Sequence, residues 1–175
     1  MTADLLIDTN VLIEATDERR REHADASALL RSGQALVVSA QVIREYLAVA
    51  TRPTSANGLG MTMADALGNV REFRREIRLL PEERPVLATF LALLERTPCS
   101  GKRVHDGHLV ATAIAHGVRT IVSLNPTDLT SFGSDVIVVV PSEALRGGDS
   151  ARWHEPARTW RRAQKTSRTA ARVAR

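Results

Sequence analysis

The sequence predicts an α/β fold, a central parallel sheet flanked by helices. Three observations carry that reading. Short apolar runs recur at 4–8, 35–39, 120–124 and 135–140, the last two β-branched and without clean alternation, as expected of strands covered on both faces. Segments with helical spacing lie between them, and strand–helix alternation favours a parallel sheet. The chain has 175 residues, 43% of them hydrophobic, which fits one domain with a sizeable core.

D-L-L-I-D (4–8) is a buried strand ending at Asp8, and T-N-V-L-I-E-A carries the chain away from it. Residues 17–32 are charged and rich in Ala and Leu, a surface helix ending near Gly33. A-L-V-V-S (35–39) is the second strand, and Ser39 caps the helix that follows. There Val42, Ile43, Tyr46, Leu47 and Ala50 form the apolar stripe, with Glu45 on its border, able to reach a cleft. R-P-T-S-A-N-G-L-G (52–60) is a loop. Thr62 and Asp65 open a helix toward Arg78, and Pro81 and Pro85 bracket the start of another through Leu94. C-S-G-K-R (99–103) is a turn. In the next helix Asp106, Leu109, Val110 and Ala113 share one face, and Gly117 closes it. T-I-V-S-L (120–124) and D-V-I-V-V-V (135–140) complete the strands.

The net charge of +4 conceals an asymmetry. Residues 151–175 hold eight of the 24 basic side chains and one of the 20 acids, which leaves 16 against 19 in the body. Basic character belongs to the tail, so it does not make the body a nucleic-acid binder. No apolar run approaches the roughly 18–20 residues of a membrane helix, and M-T-A-D-L-L-I-D lacks the features of a signal peptide. The lone Cys99 excludes an internal disulfide and a thiolate zinc site. A cytoplasmic protein is expected.

Four acids are the candidate site: Asp8 in I-D-T-N-V-L, Glu45 in Q-V-I-R-E-Y, Asp106 in V-H-D-G-H-L-V-A-T-A and Asp128 in S-L-N-P-T-D-L. Asp8 and the 123–128 turn follow strands, while Glu45 and Asp106 lie near helix starts, so one sheet edge gathers them. Alone, each has a bland reading. Asp106 complements a helix dipole, Glu45 pairs with Arg44 or Arg52, and Asp128 serves a turn. Together they need a cation to offset their desolvation, and oxygen donors favour Mg²⁺ or Mn²⁺. Acids around such a metal are suited to attacking a phosphodiester with water.

These four motifs, in this order and at this spacing, resemble a PIN domain, and more closely a VapC-type toxin of a bacterial toxin–antitoxin pair, over about residues 4–145. The resemblance implies a PIN-like three-layer fold over 1–147, followed by a basic extension, 148–175, partly helical or disordered. It implies that Asp8, Glu45 and Asp106 bind metal. Asp128 matches the last acid of the family's T-x-N-x-x-D-F turn, with Ser123, Asn125 and Leu129 at its other places. Some members carry Asp where Asn125 stands. Asn125 is then expected to orient the site by hydrogen bonds while Asp128 completes it through a bound water. Thr9 and Asn10 support Asp8.

The activity implied is a Mg²⁺- or Mn²⁺-dependent endoribonuclease acting on tRNA, rRNA or another structured RNA, with Asp8 or Asp128 orienting or deprotonating the water. A VapB-type antitoxin is the implied inhibitor and a homodimer the implied assembly. A PIN-like module that only binds RNA or a partner is the alternative, and Asn125 is the feature that favours it. A haloacid dehalogenase-like phosphatase needs a second Asp where Asn10 stands, and an HD-type phosphohydrolase at His105-Asp106 needs an all-helical fold.

His23, His105, His108 and His116 invite a zinc reading, but hydrogen-bonding or surface roles suit them better beside so many acids. His105 and His108 are spaced to meet on one helix face. In the tail, Trp153 and Trp160 are interleaved with Arg158, Arg161, Arg162 and Lys165, an arrangement for stacking bases, for docking on the body, or for a solvated arm.

Overall fold

The computed structural model describes residues 4–147. Five parallel strands, β1 (Leu5–Ile7), β2 (Leu36–Ser39), β3 (Arg78–Leu80), β4 (Thr120–Val122) and β5 (Ile137–Val139), lie in the order β3-β2-β1-β4-β5. Eight helices flank them: α1 (Thr9–Thr16), α2 (His23–Leu30), α3 (Ala40–Thr51), α4 (Met63–Glu76), α5 (Arg84–Arg96), α6 (Arg103–Ala115), α7 (Pro126–Thr130) and α8 (Pro141–Gly147). The sheet grows outward from β1 on both sides, first through β2 and β3, then through β4 and β5. The crevice between β1 and β4 is therefore the topological switch point, where α/β sheets hold ligands.

The register places all the strand ends on one edge: Ile7 pairs with Val122, and Ser39 with Leu80. Leu6, Ile7, Val37, Val38, Ile121 and Val122 are buried on the strands. Tyr46 and Phe73 meet edge to face, with ring centroids 5.2 Å apart. The Tyr46 hydroxyl bonds Thr16 Oγ1 at 3.2 Å and accepts from Asn69 Nδ2 at 2.9 Å, so a polar tip is satisfied inside the core. Around the sheet α1 packs on α2 and α3, α2 on α8, α3 on α4, and α5 on α6.

Capping follows local chemistry. Ser39 Oγ accepts from the Val42 N–H at the start of α3, as expected. Thr62 caps α4 by accepting from the Asp65 N–H, and its hydroxyl donates to the Asp65 carboxylate. Gly117, at φ +66°, reverses the chain after α6, and the Val118 N–H returns to the Ala113 carbonyl.

The structure corrects several expected boundaries. The helix expected over 17–32 begins only at His23, because Asp17 takes the Arg19 N–H and guanidinium and so makes a turn. Arg78–Leu80, where only a helix running toward Arg78 is expected, is the edge strand β3; only Leu80 is buried, and Arg78 pairs with Asp4. The turn at 126–130 is a short helix begun by Pro126. The strand at 137–139 is an edge strand rather than one covered on both faces, with Ile137 56% exposed. The tail, with Trp153 and Trp160, lies outside the described residues. Among those described, no helix is long and apolar enough to cross a membrane.

Candidate active site

Asp8 stands at the switch point. Its N–H donates to the Val122 carbonyl, extending the β1–β4 ladder by one bond, and the chain then turns into α1 with Asp8 as N-cap. Three donors hold the carboxylate. Oδ1 accepts from the Thr9 N–H at 2.6 Å, and Oδ2 accepts from Asn10 Nδ2 at 2.7 Å and Ser123 Oγ at 2.6 Å. Asn10 Nδ2 also donates to Ser123 Oγ, and its Oδ1 accepts from the Leu124 N–H. Asn10 thus binds the loop after β4 to the end of β1. Thr9 and Asn10 both support Asp8 in the structure.

Glu45 reaches the same edge from α3. Oε2 accepts from Thr9 Oγ1 at 2.9 Å, so Thr9 links the two carboxylates, its N–H on Asp8 and its hydroxyl on Glu45. Oε1 accepts from Gln41 Nε2 at 2.8 Å and lies 3.3 Å from His105 Nδ1. Arg44, one alternative partner for Glu45, instead faces Glu82 at 3.4 Å. Gln41 Nε2 also donates to the His105 carbonyl at 3.0 Å, joining α3 to the first turn of α6.

Asp106 projects from that turn. Among the described residues no hydrogen bond or ion pair holds its carboxylate. Burial, then the Asp128 and Glu45 carboxylates, push it above the usual range. Asp128 is exposed on α7, which the buried Leu129 anchors. For Asp8, burial outweighs the hydrogen bonds from Ser123 and Thr9; with Glu45 and Asp106 adding repulsion, the carboxyl is pushed up to about 6. Glu45 and Asp106 thus act on Asp8 across the crevice, and Asp128 and Glu45 on Asp106.

Some sequence expectations change. Asn125 is exposed and contributes its backbone N–H, to Ser123 Oγ at 3.1 Å; the side chains that orient Asp8 are those of Asn10 and Ser123. His105 and His108 diverge, one to Glu45 and the other 3.7 Å from Glu82, with His108 edge-on to Phe90. Burial pushes the His108 imidazole below its ordinary value, a poor setting for an imidazolium. Gln41 went unnoticed in the sequence, although its i−4 spacing from Glu45 is a readable signal. Ser123, expected at the end of the fourth strand and the start of the turn, directly follows β4 and is fully buried against Asp8.

The donors are carboxylate oxygens, which suit a hard divalent cation. The side chains do not close into a ligand set: among the described residues no group of three or more His, Cys, Asp or Glu is arranged to hold a metal ion. The burial that raises Asp8 and Asp106, the lesser repulsion from neighbouring carboxylates, and the unheld Asp106 carboxylate nonetheless fit a site whose negative charge calls for a cation.

Solved structures share this fold. VapBC2 from Rickettsia felis bound to a DNA fragment from their promoter aligns at TM-score 0.58 with 14% identity, over 78% of this chain and 98% of that one. FitAcB from Neisseria gonorrhoeae aligns at 0.53 with 22% identity, over 79% and 98%. VapBC-1 from nontypeable Haemophilus influenzae aligns at 0.57 with 13% identity, over 79% and 98%. A comparison with curated proteins found no match. The model of the PIN domain family matches residues 5–127, from β1 into α7, a span that contains Asp8, Glu45 and Asp106 and stops one residue short of Asp128; the chain belongs to the PIN domain family.

Proposed function

We propose that the chain is the toxin of a VapBC-type toxin–antitoxin module, a Mg²⁺- or Mn²⁺-dependent endoribonuclease that cuts structured RNA of the tRNA or rRNA class. PIN domains are generally nucleases and generally use divalent metals. The observation that carries the reading is the convergence of Asp8, Glu45 and Asp106, with Asp128 near, at the switch point of the sheet. Such a pocket repels a polyanion unless a cation offsets its charge, which is the physical argument for metal.

Asp8, Glu45 and Asp106 would hold the ion, with Asp128 completing the pocket from α7. When bound, the ion supplies charge neutralisation at the phosphate and a more acidic water. Thr9, Asn10 and Ser123 keep Asp8 aimed with both oxygens occupied, so its direction costs little to maintain during reaction. Asp106, unheld, is the carboxylate free to turn toward a ligand. Asp8 or Asp128 orients the attacking water or takes its proton. The similar structures are of VapBC and FitAcB, one of them bound to a DNA fragment, which supports an antitoxin partner; its seat over the acidic pocket is part of the proposal. A homodimer is part of the proposal by family likeness.

The test is cleavage of a structured RNA panel with Mg²⁺ or Mn²⁺, beside EDTA and the Asp8→Ala and Asp106→Ala variants. Metal-dependent cutting lost in both variants supports the nuclease. No cutting by folded, antitoxin-free protein favours the second reading, a PIN-like binding module. The neutral, exposed Asn125 and the open arrangement of the acids speak for that alternative.

A further inference from the structure

We propose that Gln41 is a positioning residue that sets the placement of Glu45 relative to Asp106. The inference rests on reading the acids as a metal-dependent nuclease centre. Two connectors run through the site. Thr9 relates Glu45 to Asp8, with its hydroxyl on one carboxylate and its N–H on the other. Gln41 does the same on the opposite side: Nε2 donates to Glu45 Oε1 at 2.8 Å and to the carbonyl of His105, the residue before Asp106, at 3.0 Å.

The amide is well built for this. Gln41 is 7% exposed, so both bonds are shielded from competing water, whereas His105, the other group near Glu45 Oε1, is exposed. Both partners of Nε2 are acceptors, which assigns the amide orientation: a flip would set Oε1 against a carboxylate and a carbonyl. In this orientation Oε1 is buried and, among the described residues, has no hydrogen-bond partner, as is true of His108 Nδ1. Both residues line a small, mainly apolar cleft with Ser39, Leu80, Pro81 and Val86. Gln41 therefore spends both amide protons on the site and leaves its acceptor to the cleft. Gln41 and Glu45 are i and i+4 on α3, so one rigid helix carries the clamp and the carboxylate it holds. Without the clamp α3 keeps its packing on α1 and α4, and α6 its packing on α5, but Glu45 is released on its Asp106 side.

Gln41→Met preserves length and volume and removes both donors. In the full chain, Mn²⁺ affinity measured by electron paramagnetic resonance should fall about 10-fold. RNA cleavage should lose kcat with KM unchanged, and the urea midpoint should stay near wild type. A variant that binds Mn²⁺ as tightly as wild type overturns the proposal. A second measurement needs neither metal nor that variant. The Gln41 side-chain amide signals in ¹⁵N spectra of metal-free protein should move in Glu45→Ala, the proton donated to Glu45 losing its partner. Signals that stay in place overturn the clamp. If wild type binds no Mn²⁺ and cuts no RNA, the nuclease reading falls by itself, and the amide spectra alone decide whether Gln41 grips Glu45.

Discussion

Raising the pH of the metal-free protein from 4 to 7 should cost stability at Asp8. The folded state holds this carboxyl's pKa at about 6 against an ordinary value of 3.8. Between those values the folded chain keeps a proton that the unfolded chain has released. The unfolded state then binds fewer protons, so stability falls as pH rises through the window, and the penalty is complete above about 6. About two pKa units at 1.36 kcal/mol each give about 3 kcal/mol. Other groups titrate in the same range. The Asp17 carboxyl, held low first by its hydrogen bond to the Arg19 side chain, contributes in the opposite sense as pH falls. The measurement is therefore a difference: urea unfolding of wild type and Asp8→Asn in EDTA at closely spaced pH values. Asn in place of Asp8 sets an amide against the Asn10 Nδ2 donor and carries a cost that does not depend on pH. On top of that constant, the variant should gain about 2 kcal/mol on wild type between pH 4 and 7, the rest of the effect falling below pH 4. Excess Mn²⁺ should reverse the trend, because an ion that binds ionised Asp8 stabilises wild type alone. A pH-independent difference in EDTA would refute the account of Asp8 as a buried, repelled carboxylate.

Three further predictions follow from the same geometry. Ser123→Ala removes a donor to Asp8 and an acceptor for Asn10 and the Asn125 N–H; it should raise the Asp8 pKa further and weaken Mn²⁺ binding by about 10–100-fold, read by calorimetry. Gly107→Ala would set a Cβ 3.0 Å from Phe132 Cε1, beside Asp106 and beneath the Arg103 guanidinium, so about 1–3 kcal/mol of stability should be lost in urea unfolding. Leu129→Ala empties the anchor of α7 and should cost about 2–5 kcal/mol; by loosening Asp128 it should also return the Asp106 pKa toward its ordinary value, measured by carboxyl ¹³C titration in EDTA.

How much was legible differs from element to element. Strand β1 and the start of α1 could be read because Leu-Leu-Ile must be buried and Asp8 ends the run with a ready cap. The helix bearing Glu45 was legible from Ser39 and from the spacing of Val42, Tyr46 and Ala50. Strand β3 was not: Arg78 and Leu79 are exposed, and three residues become a strand only because β2 offers them a free edge. The turn at Pro126–Thr130 looked the same in sequence whether coiled or helical, and the burial of Leu129 decided it.

The sequence by itself determined the parallel α/β class, the four acids and the residues flanking Asp8, because periodicity, caps and short motifs are local properties of a chain. Only the tertiary structure decided that Thr9 and Gln41 bridge the acids in series, that Ser123 rather than Asn125 holds Asp8, and that His105 and His108 part company. Those pairings span 36, 64 and 115 residues of chain, and no local pattern encodes which side chains meet across such distances. Sheet order and helix packing bring them to one edge, where burial and neighbouring carboxylates raise the Asp8 and Asp106 carboxyls above their ordinary range.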